Sequence, residues 1–171
     1  MKESNRKIII LRCLLGILVV SWCVLIYFMS DETAIESSDR STGLVRRFID
    51  AFVSLFGGDA DDAELVDLLE YYVRKAAHMF LFFVLSIFTF SFLSCYSLRV
   101  RVRCGITLLF CFLYCVSDEI HQLFVEGRSG NLFDVFVDMV GVISALAIML
   151  VFIFIINKIK HKKHRSSPSV I

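Results

Sequence analysis

The sequence predicts an all-α, polytopic membrane protein with four transmembrane helices and an external interfacial helical segment between the first and second. Three observations lead there. Of 171 residues, 57% are hydrophobic and the mean hydropathy is +0.74, too apolar for a soluble domain of this length. Four apolar segments, 8–29, 76–94, 105–124 and 134–156, approach or exceed the roughly 20 residues that cross a bilayer. Phenylalanine occurs 17 times and proline once, so little in the chain breaks a helix.

The first span starts just after Lys2, Arg6 and Lys7, as a signal peptide would. It lacks a small-residue cleavage site, and Met29-Ser30-Asp31 stands where one would fall, so it reads as an uncleaved span. Lys and Arg then set the orientation. With a cytoplasmic N-terminus, the inner side holds Lys2, Arg6, Lys7, Arg12, Arg99, Arg101, Arg103, Lys158, Lys160, Lys162, Lys163 and Arg165. The outer side keeps Arg40, Arg46, Arg47, Arg74, Lys75 and Arg128, so the division is twelve against six. Of the 17 acidic residues only Glu3 lies inside, and the net charge of +1 conceals this asymmetry. Both termini are expected in the cytoplasm of a bacterial plasma membrane, in a single membrane domain covering 1–171.

Between the first two spans, Leu44, Val45, Phe48, Ile49, Phe52, Val53, Leu55 and Phe56 recur at helical spacing. Gly57-Gly58 ends that amphipathic helix, which belongs at the outer interface. Asp59 to Asp62 supply acidic first-turn residues for another helix, which runs into the second span. The external helical segment is therefore 44–73, with Tyr71 and Tyr72 at headgroup depth. A short basic loop, 98–103, makes the second and third spans an antiparallel hairpin. The basic tail, 157–171, reads as a solvated flank drawn to anionic lipid; eight residues at the membrane do not suit nucleic acid. The six cysteines lie in or beside spans, so no exported disulfide framework is implied, and Cys111 and Cys115 read as small contact residues on one helix face. No internal repeat, soluble domain, cofactor motif or complete catalytic motif is legible.

The informative stretch is 117–138. It sets ionisable residues where the flanks look like bilayer, and such groups are functional candidates because unpaired they cost several kcal/mol. Lys75 and His78 share a face of the second span at i,i+3. Asp118, His121 and Gln122 share one on the third, with Glu119 beside Gln122. Asp134, Asp138 and Gly141 form a stripe on the fourth. Two carboxylates at i,i+4 repel unless cations intervene, and Lys75, His78 and Arg128 are the candidates. Gly127 and Gly130 let the turn fold back and carry Arg128 into the bundle. Three readings follow. One is a salt-bridge and hydrogen-bond network fixing helix register. Another is an outward-facing pocket for a polar or lipid headgroup. The third is a metal-dependent membrane enzyme, with His78, Asp118 and His121 as ligand types and no HExxH or cysteine pair behind them.

These residues resemble the VanZ-like family of small bacterial membrane proteins. The match lies in Arg74-Lys75-Ala76-Ala77-His78 and in Ser117-Asp118-Glu119-Ile120-His121-Gln122-Leu123-Phe124. It continues through Gly127-Arg128-Ser129-Gly130, then Asp134, Asp138 and Gly141, and includes Tyr27-Phe28-Met29-Ser30 with Ser37, Ser38 and Ser41 beyond. Phe82 stands where the family usually has an aromatic hydroxyl, and Glu126 where it commonly has proline. The name-giving member is linked to low-level resistance to teicoplanin, a glycopeptide antibiotic with a fatty-acyl chain. The resemblance implies work at the outer leaflet, on membrane lipids, a lipid-linked cell-wall precursor or a lipoglycopeptide antibiotic. Arg128 and Lys75 would hold phosphate or carboxylate there, positioned by the aspartates. Gly130, Asp134 and Asp138 also match half of the CDP-alcohol phosphotransferase pattern; the other half is absent, and CDP-lipids belong on the opposite side.

Overall fold

Each apolar segment seeds a helix longer than itself. The computed structural model describes residues 2–31, 43, 47, 63–125 and 131–165. Its helices are α1 (Lys2–Ser30), α2 (Ala63–Ser94), α3 (Val100–Gln122) and α4 (Leu132–Arg165), with no strand among the described residues. All four contain a stretch long and apolar enough to cross a membrane: Asn5–Ser30, Tyr71–Ser94, Val100–Gln122 and Leu132–Lys160. In hydrocarbon every backbone N–H and C=O must be satisfied within the segment, and the helix does this.

The boundaries move outward from the apolar segments for one reason. Hydropathy marks where a helix leaves the apolar layer, not where its hydrogen bonding stops. The acidic-led helix and the second span are thus one element, α2. The loop expected at 98–103 shortens to 95–99, because α3 already begins at Val100 and carries Arg101 and Arg103 in its first turns. Arginine is a good helix former, so nothing at these positions delays the start. The 34 residues of α4 give a rod of about 50 Å, well beyond the apolar layer, and make the start of the basic tail helical. Most of the amphipathic segment 44–56, the acidic stretch 59–62, and 126–130 with Arg128 and its flanking glycines lie outside the described residues.

Contacts between helices give their directions. Arg12 meets Cys95 and Trp22 meets Leu81, so α1 and α2 are antiparallel. Lys75 meets Asp134 and Ser86 meets Val142, so α2 and α4 run parallel. Consequently one end of the bundle gathers Asp31, Lys75, Asp118 and Asp134, and the other gathers Lys7, Arg12, Arg103 and Lys158. They are called here the acidic end and the basic end.

The centre of the bundle is α2, which touches the other three helices and makes its broadest contact with α4. Gly141 explains the closeness: a Cβ there would lie 2.2 Å from the carbonyl oxygen of Met79. Small residues let backbones approach in this way, and Ser86 Oγ adds a bond to Val142 O at 3.3 Å. Around this seam Phe82, Leu85, Val142 and Leu146 pack with Cys111 and Cys115 of α3. By contrast α1 is peripheral, apolar and largely exposed. It is pinned at three depths: Trp22 Nε1 donates to Leu81 O at 2.8 Å, Tyr114 Oη to Cys23 O at 2.6 Å, and Arg12 to Cys95 O at 2.9 Å. Among the described residues, no Cα of α1 comes within 8 Å of one in α4.

Candidate functional site

At the acidic end, three helices bring their ionisable residues to one depth. Lys75 of α2 forms an ion pair with Asp134 in the first turn of α4. Its ammonium also lies 4.7 Å from the ring centre of Tyr71 and 5.5 Å from that of Phe133. One helical turn deeper, His78 Nδ1 stands 3.9 Å from Asp118 Oδ2 of α3, which also accepts from Gln122 Nε2 at 3.1 Å. Asp118, Glu119 and Gln122 are all buried, at 5%, 7% and 7% exposure. Their i,i+1 and i,i+4 spacing turns them from lipid toward the bundle.

Glu119 has a structural task. Its Oε2 accepts from the Asn131 backbone N–H at 2.8 Å, and Asn131 Oδ1 in turn accepts from Phe133 N at 3.0 Å. Asn131 therefore caps α4, and Glu119 fixes the cap to α3. The result holds the first turn of α4 in place and with it Asp134. Sequence reading missed Asn131, although an asparagine just before an apolar helix is a recognisable start signal.

His121 departs from the spacing argument that set it with Asp118 and Gln122. Its ring turns to α1, stacked on Tyr27 at 4.6 Å between centres, with Nε2 3.2 Å from Asp31 Oδ1. The divergence follows from i,i+3 spacing, which separates two side chains by about 60° around the helix axis, enough to reach different neighbours. Asp31 is a site residue that sequence reading passed over; its signal was a carboxylate placed at the end of the first span. His78, Asp118 and His121 thus do not converge, and among the described residues no three His, Cys, Asp or Glu side chains are grouped to hold a metal ion. The hydroxyl that Phe82 lacks is also accounted for. Phe82 is fully buried with its ring 6.1 Å from that of Tyr114, whose own hydroxyl binds α1.

Asp138 is the exception within this ordered cluster. It is only 2% exposed, one turn below Asp134 and within electrostatic reach of Asp118, Glu119 and Lys75, yet its Oδ2 has no hydrogen-bond partner. A buried carboxyl oxygen without a donor forfeits solvation that nothing replaces.

Four spanning helices with a charged cluster buried at one end define a polytopic membrane protein built around a polar site. The family described as VanZ/LLP1 matches residues 15–155. The chain belongs to this family, and the match takes in all of α2 and α3 and most of α1 and α4. Among curated proteins and among solved structures, none matches it.

Proposed function

We propose that the acidic end receives the polar head of an amphiphile at the outer leaflet of a bacterial plasma membrane. The amphiphile is a lipid-linked cell-wall precursor or an acylated glycopeptide such as teicoplanin, and by altering its exposure the protein lowers susceptibility to the drug. The observation that carries this reading is the unpartnered oxygen of Asp138, buried beneath the ion pair of Lys75 with Asp134. Such a group weakens the fold, so its presence favours a donor brought by a ligand, an ammonium or a hydroxyl. Lys75 and Asp134 would frame the entrance. The outward orientation rests on the twelve-to-six division of basic residues, and the choice of amphiphile on the family.

A second reading, a purely structural network, draws support from Gln122 on Asp118 and Glu119 on Asn131. Asp138→Asn separates the two. In a strain lacking its own copy, the wild-type protein is expected to raise the inhibitory concentration of teicoplanin. The variant, at equal membrane level, is expected to lose that effect while its unfolding temperature in detergent stays level or rises. A variant that unfolds earlier yet protects fully would establish the structural reading. No difference between the deletion and the wild type would sink the resistance role altogether.

A further inference from the structure

At the basic end the parted helices α1 and α4 leave a cleft of about 570 Å3, within the size range of small-molecule sites. Ile8, Leu11 and Leu15 of α1 form one wall, Met149 and Ile153 of α4 the other. Phe90 and Ser91 of α2 make the floor, and Arg103 of α3 lies at the end. The walls belong to segments fit to span a membrane, and Ile8 and Leu11 are 40% and 48% exposed, so the cleft opens on an apolar face of the bundle.

Arg103 is placed unlike the other cation here. Arg12 is committed: its fork gives two hydrogen bonds to Cys95 O, at 2.9 and 3.2 Å, and its guanidinium covers the Tyr96 ring at 4.4 Å. Arg103 gives Nη1 to Ser94 Oγ at 2.7 Å and rests 5.3 Å from the Phe90 ring centre, while its buried Nε has no hydrogen-bond partner. Among the described residues no carboxylate pairs with it. Nor does the sequence supply one, because Glu3 is the only acid at this end and it pairs with Lys7 at 2.9 Å.

We propose that this cleft binds one acidic phospholipid from the adjoining leaflet, with an acyl chain between α1 and α4 and the phosphate on Arg103. Guanidinium is the side chain best matched to a phosphate, through paired N–H donors. Arg99, Arg101, Lys158 and Lys160, toward the same end of the bundle, add a field that attracts an anionic headgroup and repels the ammonium of a zwitterionic one. This site is at the opposite end of the bundle from the polar cluster and does not depend on the function proposed for it.

Native mass spectrometry of the full chain in detergent tests the proposal, with phosphatidylglycerol and phosphatidylcholine of identical acyl chains as probes. The expected result is one retained phosphatidylglycerol per chain, favoured about tenfold over phosphatidylcholine, the change expected from one charge-assisted contact. Arg103→Gln should abolish the preference, and Arg6→Gln, at an exposed position outside the cleft lining, should keep it. Met149→Trp should fill the cleft and lower retention of phosphatidylglycerol with Arg103 intact. Equal retention of both lipids by the wild type, or a preference that Arg103→Gln leaves whole, would mean an unspecific lipid coat and overturn the proposal. If Arg103→Gln fails to fold, undiminished retention by Met149→Trp overturns it.

Discussion

The two ends of the bundle handle charge in opposite ways. At the acidic end carboxylates face a lysine and two imidazoles, as Lys75 with Asp134, His78 near Asp118 and His121 on Asp31. At the basic end, apart from the exposed Lys7–Glu3 pair, the two arginines face neutral groups: Arg12 on Cys95 O, Arg103 on the Ser94 hydroxyl and the Phe90 ring. Among the described residues, the first arrangement leaves Asp138 Oδ2, Arg74 Nε and Ser30 Oγ buried without a hydrogen-bond partner. The second leaves Arg12 and Arg103 without a carboxylate partner among the described residues. The difference teaches that composition at a membrane end decides what kind of partner it lacks: a donor at one end, an anion at the other.

The comparison breaks most severely where the acidic end is assembled. Gly141→Ala should destabilise the protein by about 3 kcal/mol, since overpacking a tight contact costs this much and the obstacle is the backbone oxygen of Met79, which cannot step aside. Thermal unfolding in detergent measures it, with Gly105→Ala, inside α3 and meeting nothing within 4 Å, as the reference for the helix-propensity gain alone. Equal unfolding of the two variants would mean that α2 and α4 are not so closely joined. Next comes the ion pair. Lys75 and Asp134 have side chains 17% and 30% exposed, so Asp134→Asn should cost about 2 kcal/mol by stranding a half-buried cation. In a double-mutant cycle with Lys75→Met the coupling should be about 1 kcal/mol, and additive losses would show that the pair contributes nothing.

Most of this was readable in the sequence because it follows from periodicity and charge. Four apolar segments became four helices, and i,i+4 spacing set Asp118 with Gln122. Tertiary choices were not readable. No spacing rule told His121 to leave Asp118 for Tyr27 and Asp31, since that depends on where α1 packs. Nor did hydropathy place the starts of α3 and α4, because Arg101 and Asn131 are polar in the sequence and regular in the helix frame. The cleft at the basic end was equally hidden: it depends on how far apart the α1 and α4 backbones stand, and that spacing leaves no mark on either sequence.

A smaller effect tests whether Glu119 and Asn131 are architecture rather than site. Asn131→Ala should cost about 1 kcal/mol through loss of the cap on Phe133 N, and Asn131→Ser should restore most of it. Unfolding midpoints check both. Restoration by serine would identify capping as the cause, whereas equal losses would point to some other role for the amide.

The smallest expected effect lies at the basic end, in Arg12. Lysine there keeps the charge but loses the planar fork that reaches Cys95 O twice and covers Tyr96. Because the partner is a neutral carbonyl and the site is only partly buried, Arg12→Lys should cost about 0.5–1 kcal/mol, while exposed Arg101→Gln should stay within about 0.5 kcal/mol of the wild type. The distinction matters because both changes sit among the same cations. If charge alone stabilised this end, lysine would be silent and Arg101→Gln would carry the larger loss, and the contrast between committed Arg12 and available Arg103 would dissolve. The opposite ranking would mean that geometry holds the basic end together internally, leaving its net charge for a partner from the bilayer.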